Sequence, residues 1–341
     1  METSEIMVSV LCTAYNHEKY IDKCISSIVS QMTDFNFEIL INDDHSNDKT
    51  ASIVKRYEET YPDKIFAVYQ KQNQYSQGVR IVDDILLPRA RGKYIALCEG
   101  DDYWCENRKL QIQYDYMEQH SECSLLVHNT VKHDLRGKDK DKLFNQWTTI
   151  HVMDDQEIFM DWSVHTSSYF LRKEHVKMPD FARNFWSGDY SRITLASCIG
   201  TVVSLPIVMS VYNYGVTEGI TMGNLRSSFE KGEKRLRDRI NYLSSLDKYT
   251  NGIKHNIIKS KIEKDNFELL RLQAIRDIVQ SKSAKQAIEA AKKVSNDEDF
   301  IPYLKSKSFG QKIKELFKYK GYLLYPIWHR CMCHQYRTRI Q

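Results

Sequence analysis

No glycine follows the first apolar segment of this 341-residue chain, where a dinucleotide-binding fold would carry its Gly-x-Gly-x-x-Gly turn. The residues there are Thr13-Ala14-Tyr15-Asn16-His17-Glu18. A Gly-rich turn ending in Gly-Lys-Ser or Gly-Lys-Thr is missing too, so both backbone cradles for phosphate are excluded. No apolar run approaches the ~18 residues needed to span a bilayer. The amino terminus runs into a strand pattern without the basic region and apolar stretch of a secretory leader, so none is expected. The 8 cysteines are scattered through apolar segments, which argues against a disulfide framework and for reduced thiols in a cytoplasmic setting. Cys331-Met332-Cys333-His334 has no second ligand pair, which argues against zinc. A net charge of +4 is too small to imply nucleic acid.

What remains is enough for a folded enzyme: 42% hydrophobic and 28% charged residues can bury a sizeable core in a main domain with an appendage. Met7–Thr13 is rich in β-branched residues and reads as a strand, followed by a helix with Ile21, Cys24, Ile25 and Ile28 on one face. Phe37–Ile41 is a second strand that ends in Asn42-Asp43-Asp44-His45-Ser46-Asn47-Asp48, before a helix around Ile53, Val54 and Tyr57. Ile65–Tyr69 is a third strand, Gly78 opens a helical stretch through Val82, Ile85 and Leu86, and Gly92 breaks it before the strand Tyr94–Cys98. Strands alternating with helices predict an α/β fold with a mostly parallel central sheet flanked by helices. A helix over Leu110–Met117, a strand over Leu125–His128 and a strand pair broken at Pro206 within Val202–Tyr212 are expected next. Beyond about residue 225 the pattern turns to long helices, around Leu236, Ile240 and Leu243, then Phe267, Leu270 and Ile275, then Ala284–Val294. The expected domains are therefore 1–224, a helical appendage at 225–304, and a tail at 305–341.

Two of the strands end in acidic pairs. Adjacent carboxylates at the carboxyl end of a buried strand are costly to desolvate, so Asp43-Asp44 and Asp101-Asp102 point to a bound cation or a hydroxyl-rich ligand in one crevice. With no glycine-rich loop, a divalent cation held by carboxylates is the natural means of neutralising phosphates. Asp189, ahead of the helical segment Ile193–Ser197, stands apart from both pairs and on its own reads as a helix cap.

The segments Val8–Asn16, Glu38–Asp48, Gly92–Ile95 and Glu99-Gly100-Asp101-Asp102-Tyr103-Trp104 resemble family 2 glycosyltransferases of the GT-A fold, in order as well as in motif. The resemblance covers roughly residues 6 to 220. It implies a nucleotide-diphosphosugar-binding α/β domain that inverts configuration at the sugar's anomeric carbon. It also implies roles: Thr13, Ala14 and Tyr15 cradle the nucleoside, Asp43 reads the uracil edge with Asp44 beside it, and Asp101 contacts the ribose or sugar. Asp102 would ligate Mn2+ or Mg2+ between the phosphates, and Asp189 would be the catalytic base. His165, in His165-Thr166-Ser167-Ser168, resembles a segment lining the acceptor side, and Trp104 is a candidate for stacking on a sugar ring.

The chain departs from the family pattern in four places, one of them Glu99 as the first acid of the metal motif. His45 stands where a glycine is usual, Gly188-Asp189 replaces Glu-Asp, and Asn213 follows Tyr212 where an arginine often binds phosphate, leaving Arg80, Lys93 or Arg108 as substitutes. The expected partners are a nucleotide-sugar donor, with UDP as the nucleotide, and a growing surface glycan or lipid-linked saccharide. Lys305, Lys307, Lys312, Lys314, Lys318 and Lys320, interleaved with Phe309, Phe317, Tyr319 and Tyr322, make the tail a candidate for an anionic membrane surface. A sugar nucleotidyltransferase would also use carboxylate-held metal, but would show a Gly-rich turn with Arg and Lys after the first strand. The retained acids weigh against a catalytically degenerate glycan-binding relative.

Overall fold

The computed structural model describes residues 5–183, 185–215 and 229–280. Chain contacts divide the protein into two units, Met1–Arg226 with Ser244–Ile258, and Ser227–Leu243 with Lys259–Gln341.

The first unit is built on one mixed sheet. Strands β1 (Ile6–Ala14), β2 (Asn36–Asp43), β3 (Ile65–Tyr69), β4 (Tyr94–Glu99), β5 (Tyr103–Trp104), β6 (Cys123–Asp134), β7 (Lys142–Leu143), β8 (His151–Val152), β9 (Phe170–Arg172) and β10 (Thr201–Tyr214) take part. The order runs β3-β2-β1-β4-β9-β6-β10-β5, with β7 on β6 and β8 on β10. β3, β2, β1 and β4 are parallel neighbours, as the alternating pattern predicts; β9 runs antiparallel between β4 and β6, and β6 and β10 are again parallel. The fold is a GT-A-like α/β domain with a mostly parallel sheet.

The helices of this unit are α1 (Ile21–Val29), α2 (Thr50–Thr60), α3 (Lys109–Gln119), α4 (Asp155–Met160) and α5 (Gly188–Ile199). The expected apolar face of α1 is realised in full: Ile21, Cys24, Ile25 and Ile28 are all 0% exposed beneath β1 and β4 residues of the same core. Burying each of the isoleucines contributes roughly 2 kcal/mol, which holds the α1 end of the crevice rigid.

Two expectations change. A short turn Tyr75–Gln77 ends at Gly78, and the helical stretch expected after that glycine is a wide turn Ile81–Leu86 followed by a tight turn Leu87–Arg89, where Pro88 cannot donate into a continuing ladder. Val202–Tyr212 is a single strand rather than a broken pair. Its register against β6 shifts between Leu205 and Val208, so Pro206 sits at a bulge where no amide is required.

Two helices, α6 (Phe229–Tyr249) and α7 (His255–Gln280), follow. Their connecting turn belongs to the first unit, where Lys254 Nζ meets Asp155 Oδ1 at 2.6 Å and the Phe181 and Tyr249 rings lie 5.2 Å apart. Within the second unit, Arg239 makes two 2.6 Å hydrogen bonds to Asp265, and Glu233 accepts from Arg276 at 2.5 Å. Among the described residues no helix is long and apolar enough to cross a membrane. The expected helix at 284–294 and the tail 305–341, with Cys331 and Cys333, lie outside the described residues.

Candidate active site

The parallel register places the ends of β1, β2 and β4 side by side. Ala14 is opposite Asp43, and Thr13 is opposite both Asn42 and Glu99. Backbone links tie these ends together: Asp44 N donates to Ala14 O and Gly100 N to Thr13 O, each at 2.9 Å. The second link requires glycine, since a Cβ on Gly100 would come within 2.9 Å of both the His17 ring and Ile21 Cδ1.

At the β2 end the acids divide their work. Asp44 accepts the amides of Gln74 at 2.7 Å and Tyr75 at 3.0 Å, so both of its oxygens hold the loop after β3. Asp43 accepts from Ser46 N at 3.2 Å through Oδ2, while its Oδ1 is buried with no hydrogen-bond partner among the described residues. Tyr15 is 39% exposed beside this oxygen's strand end. A zipper of Asn16 with Ser46 and Asn47, His17 with Thr50, and Glu18 with Asp48 and Lys49 fixes the floor between the two loops. His45, in place of the usual glycine, adopts φ 64°.

At the β4 end Asp102 is 1% exposed. Its Oδ1 accepts the Asn213 amide at 3.0 Å, and Oδ2 has no hydrogen-bond partner among the described residues but lies 3.5 Å from His165 Nδ1. Glu99, Asp102 and His165 each bring a ligand atom within 4.8 Å of the others. Burial first, then the charges of Asp101 and Asp189, pushes the Glu99 carboxyl up to about 8; burial and the charges of Asp101 and Glu99 likewise raise Asp102. Burial, helped by Lys132, pushes His165 down to about 3, so the imidazole is neutral and able to ligate. Two desolvated carboxyls, one orphaned oxygen and a neutral imidazole form a hard-to-borderline O/N donor set that a divalent cation would satisfy. Asp101 is more open and faces His17 Nε2 at 3.9 Å.

Asp189 enters from a different element, in the first turn of α5. Ser187, not Asp189, caps that helix, and its hydroxyl donates to Asp189 Oδ1 at 2.5 Å. The carboxylate is thus held at a helix amino terminus, where the macrodipole favours its charge, near enough to Glu99 to raise it. Trp104 is not brought to the crevice. Its ring is buried, Nε1 donates to Ser167 O at 3.1 Å, and Lys109 Nζ sits 4.0 Å from the ring centroid.

Two of the three suggested phosphate substitutes are otherwise engaged, while Arg108 is exposed just ahead of α3. Arg80 donates to the carbonyls of Ala182, Arg183 and Phe185, supporting the loop into α5, and Lys93 meets Glu118 at the far end of β4. Two residues take part in roles that the sequence did not assign to them. Asn213 clamps the acidic loop through its amide to Asp102 and its Nδ2 to Asp101 O at 2.6 Å. Buried Arg192, paired with Asp83 at 2.8 Å, places a positive charge that Glu99 feels. The only sequence signal for Asn213 was its departure from the arginine usual at that place.

The sequence model of glycosyl transferase family 2 matches residues 9–177, which contain both acidic pairs and His165. The chain belongs to glycosyl transferase family 2. An uncharacterized protein of Mycobacterium tuberculosis is 29% identical over 205 residues, 60% of this chain and 58% of that protein. The putative teichuronic acid biosynthesis glycosyltransferase TuaG of Bacillus subtilis is 33% identical over 115 residues, 34% of this chain and 43% of its own. WfaP of Escherichia coli, a UDP-Glc:alpha-D-GlcNAc-diphosphoundecaprenol beta-1,3-glucosyltransferase, is 34% identical over 112 residues, 33% of this chain and 41% of that one. The chain thus spans 58% of the first relative's length and under half of the other two. Among solved structures, S. aureus TarS 1-349 in complex with UDP-GlcNAc superposes with TM-score 0.55 at 16% identity, over 89% of this chain and 93% of that one, which supports the fold.

Proposed function

We propose that this family 2 protein is an inverting glycosyltransferase that moves a sugar from a UDP-linked donor to a hydroxyl of a growing surface glycan or lipid-linked saccharide. The observation that carries the proposal is the Glu99, Asp102 and His165 set at the end of β4, with its orphaned Asp102 oxygen, facing a separate carboxylate, Asp189, on α5. The names borne by TuaG and WfaP favour surface-glycan chemistry and, for WfaP, a UDP donor and a lipid diphosphate acceptor.

Asp102, Glu99 and His165 would hold Mn2+ or Mg2+. When bound, such a cation supplies Lewis-acid stabilisation of a leaving diphosphate. Thr13, Ala14 and Tyr15 form the nucleoside cradle, with the free Asp43 oxygen available to a base N–H and Asp44 bracing the loop around it. Asp101 is the more open acid for donor hydroxyls. Asp189 takes the proton of the acceptor hydroxyl as that oxygen bonds to the anomeric carbon and the diphosphate departs from the opposite face. The Ser187 hydroxyl keeps the Asp189 carboxylate oriented for this. The proposed catalytic domain is 1–224, with 225–304 as appendage and the tail 305–341 as a cytoplasmic-side contact with anionic lipid.

The test is a panel of nucleotide sugars with Mn2+ or Mg2+, read by calorimetric binding and slow donor hydrolysis. The expected result is cation-dependent binding of a UDP-sugar. If no donor binds the wild type with either cation, the proposal fails. Asp189→Asn is expected to keep donor binding and lose transfer by roughly 10²–10⁴-fold; lost binding would assign Asp189 another role. For the tail, liposome co-sedimentation with and without residues 305–341 should differ, and unchanged partitioning after truncation counts against membrane contact.

A further inference from the structure

Trp162 lies on the loop between α4 and the turn Thr166–Ser168, and the residue is 54% exposed. A large apolar ring left in water on a short loop would ordinarily move freely. This one is held by other rings. Phe144 meets it at right angles with centroids 5.1 Å apart, Tyr212 at 6.0 Å and 74°, and His165 at 6.3 Å. Those supports are themselves locked: His165 stacks on Tyr212 at 4.1 Å, and Phe144 lies 5.5 Å from His165. His165 in turn sits 3.5 Å from Asp102. The cluster therefore runs without a break from the carboxylates to an indole that is both immobilised and open to solvent. Lys132 Nζ lies over both neighbouring rings, 5.7 Å from the Trp162 centroid and 4.1 Å from that of Tyr214.

We propose that Trp162 is the platform on which a pyranose ring of the acceptor stacks, with Lys132 donating to that ring's hydroxyl rim. The inference rests on the transferase reading and adds the acceptor's recognition to it. A pyranose offers an apolar C–H face with a polar edge, which complements a fixed indole face flanked by a cation that keeps its stem along the neighbouring rings. The indole loses little rotamer freedom on binding because the surrounding rings have already restricted it, so the contact is preorganised. Sheet order assigns the occupant. The nucleoside residues stand at the ends of β1 and β2 and the carboxylates at the end of β4, while Lys132 is on β6 and Tyr212 on β10, across β9 from β4. Trp162 thus lies beyond the carboxylates from the nucleotide, which is where an acceptor must approach when the donor fills the other end.

The experiment uses the full-length protein with methyl pyranosides of glucose, galactose and N-acetylglucosamine as probes, read by saturation-transfer NMR with UDP and the diamagnetic Mg2+ present. The wild type should transfer saturation to the ring C–H protons of at least one probe. Trp162→Ala and Trp162→Leu should each weaken that probe about tenfold, the Leu variant showing that a flat ring rather than apolar bulk is needed. Lys132→Met should weaken it by about threefold. Equal binding by wild type and either folded Trp162 variant, or no probe bound by a wild type that binds UDP, overturns the platform. UDP affinity of the wild type, measured on the same samples, separates the two failures, since its absence sinks the transferase reading itself.

Discussion

The two acidic pairs look alike in sequence and are treated differently by the fold. At Asp43-Asp44 three of the four carboxylate oxygens accept backbone amides, from Ser46, Gln74 and Tyr75. That pair is mainly architecture, with a single oxygen left over for a ligand. At Asp101-Asp102, among the described residues, one side-chain oxygen has a backbone amide, from Asn213, and the buried Asp102 Oδ2 is grouped with Glu99 and His165 instead. Carboxyls so desolvated and so close together stay ionised together only with a counter-charge. The lesson is that a strand-end acid announces a ligand when its oxygens are left unsatisfied, and a scaffold when loop amides fill them.

The strongest way to break this contrast is Asp102→Asn. If the β4 pair is the cation clamp, the substitution should cut Mn2+-dependent UDP binding and transfer by roughly 10²–10³-fold, on the scale seen for losing one charge-stabilising group in an active site. Chelation of the wild type should do the same. Metal-dependent affinity left intact in calorimetry would mean that the orphaned oxygen has another purpose.

On α3 lies a buried cation without a carboxylate partner among the described residues. Lys109 is 0% exposed, donates to Gln113 Oε1 at 2.6 Å and sits over Trp104; burial pushes its ammonium down to about 7 from 10.5. The unfolded chain keeps this proton up to about pH 10.5, so between pH 7 and 10.5 it binds more protons than the folded one and stability rises with pH, by at most ~1.4 kcal/mol per unit. Below about pH 7 both states are protonated and the penalty is complete. Lys109→Met should therefore stabilise the fold by about 2–3 kcal/mol at pH 6, less than the full shift because the Trp104 ring and Gln113 offset part of it. The gain should shrink toward pH 10. Urea unfolding at pH 6, 8 and 9.5 reads it, and a pH-independent difference would show that the ammonium is comfortable where it is.

The sequence made the scaffold legible and left much of its wiring hidden. The α1 face, the parallel β1, β2 and β4 ends and both acidic pairs follow from periodicity and residue type, which need no knowledge of distant partners. His165 joining Asp102, Asn213 clamping the acidic loop and Arg192 meeting Asp83 bring together residues 63, 111 and 109 positions apart. No local pattern encodes such meetings. Ser187 taking the cap from Asp189 was hidden for a subtler reason, since both residue types cap helices and only the backbone at 187 decides. Trp104 was ambiguous because an indole suits a core and a sugar equally well, and its Nε1 partner, Ser167 O, lies 63 residues away.

On the scaffold side of the contrast, Asp44→Asn should cost about 1–2 kcal/mol of stability. An amide can accept from Gln74 N or Tyr75 N but would turn its own donors toward the other, losing one charge-assisted bond. A lowered melting temperature with only a modest loss of UDP affinity is expected. A large loss of affinity at unchanged stability would instead move Asp44 into direct donor contact and make the two pairs equivalent after all.

The finest test is His45→Gly. At φ 64° the histidine occupies the left-handed region, which costs a side-chain-bearing residue about 1 kcal/mol, and its ring meets Gln70 O through Nδ1 at 3.3 Å in an exposed position. Glycine relieves the strain but gives back part of the gain through the greater freedom of the unfolded chain, so a net stabilisation of about 0.5 kcal/mol is expected. Differential scanning calorimetry should show a rise of about 1–2 °C. UDP affinity should stay within about twofold, because the strained residue shapes a turn whose ligand-facing oxygen belongs to Asp43. A fall in melting temperature would mean that the His45 ring contact outweighs the backbone strain. In that case the departure from glycine is a substitution the turn has absorbed rather than a cost it still carries.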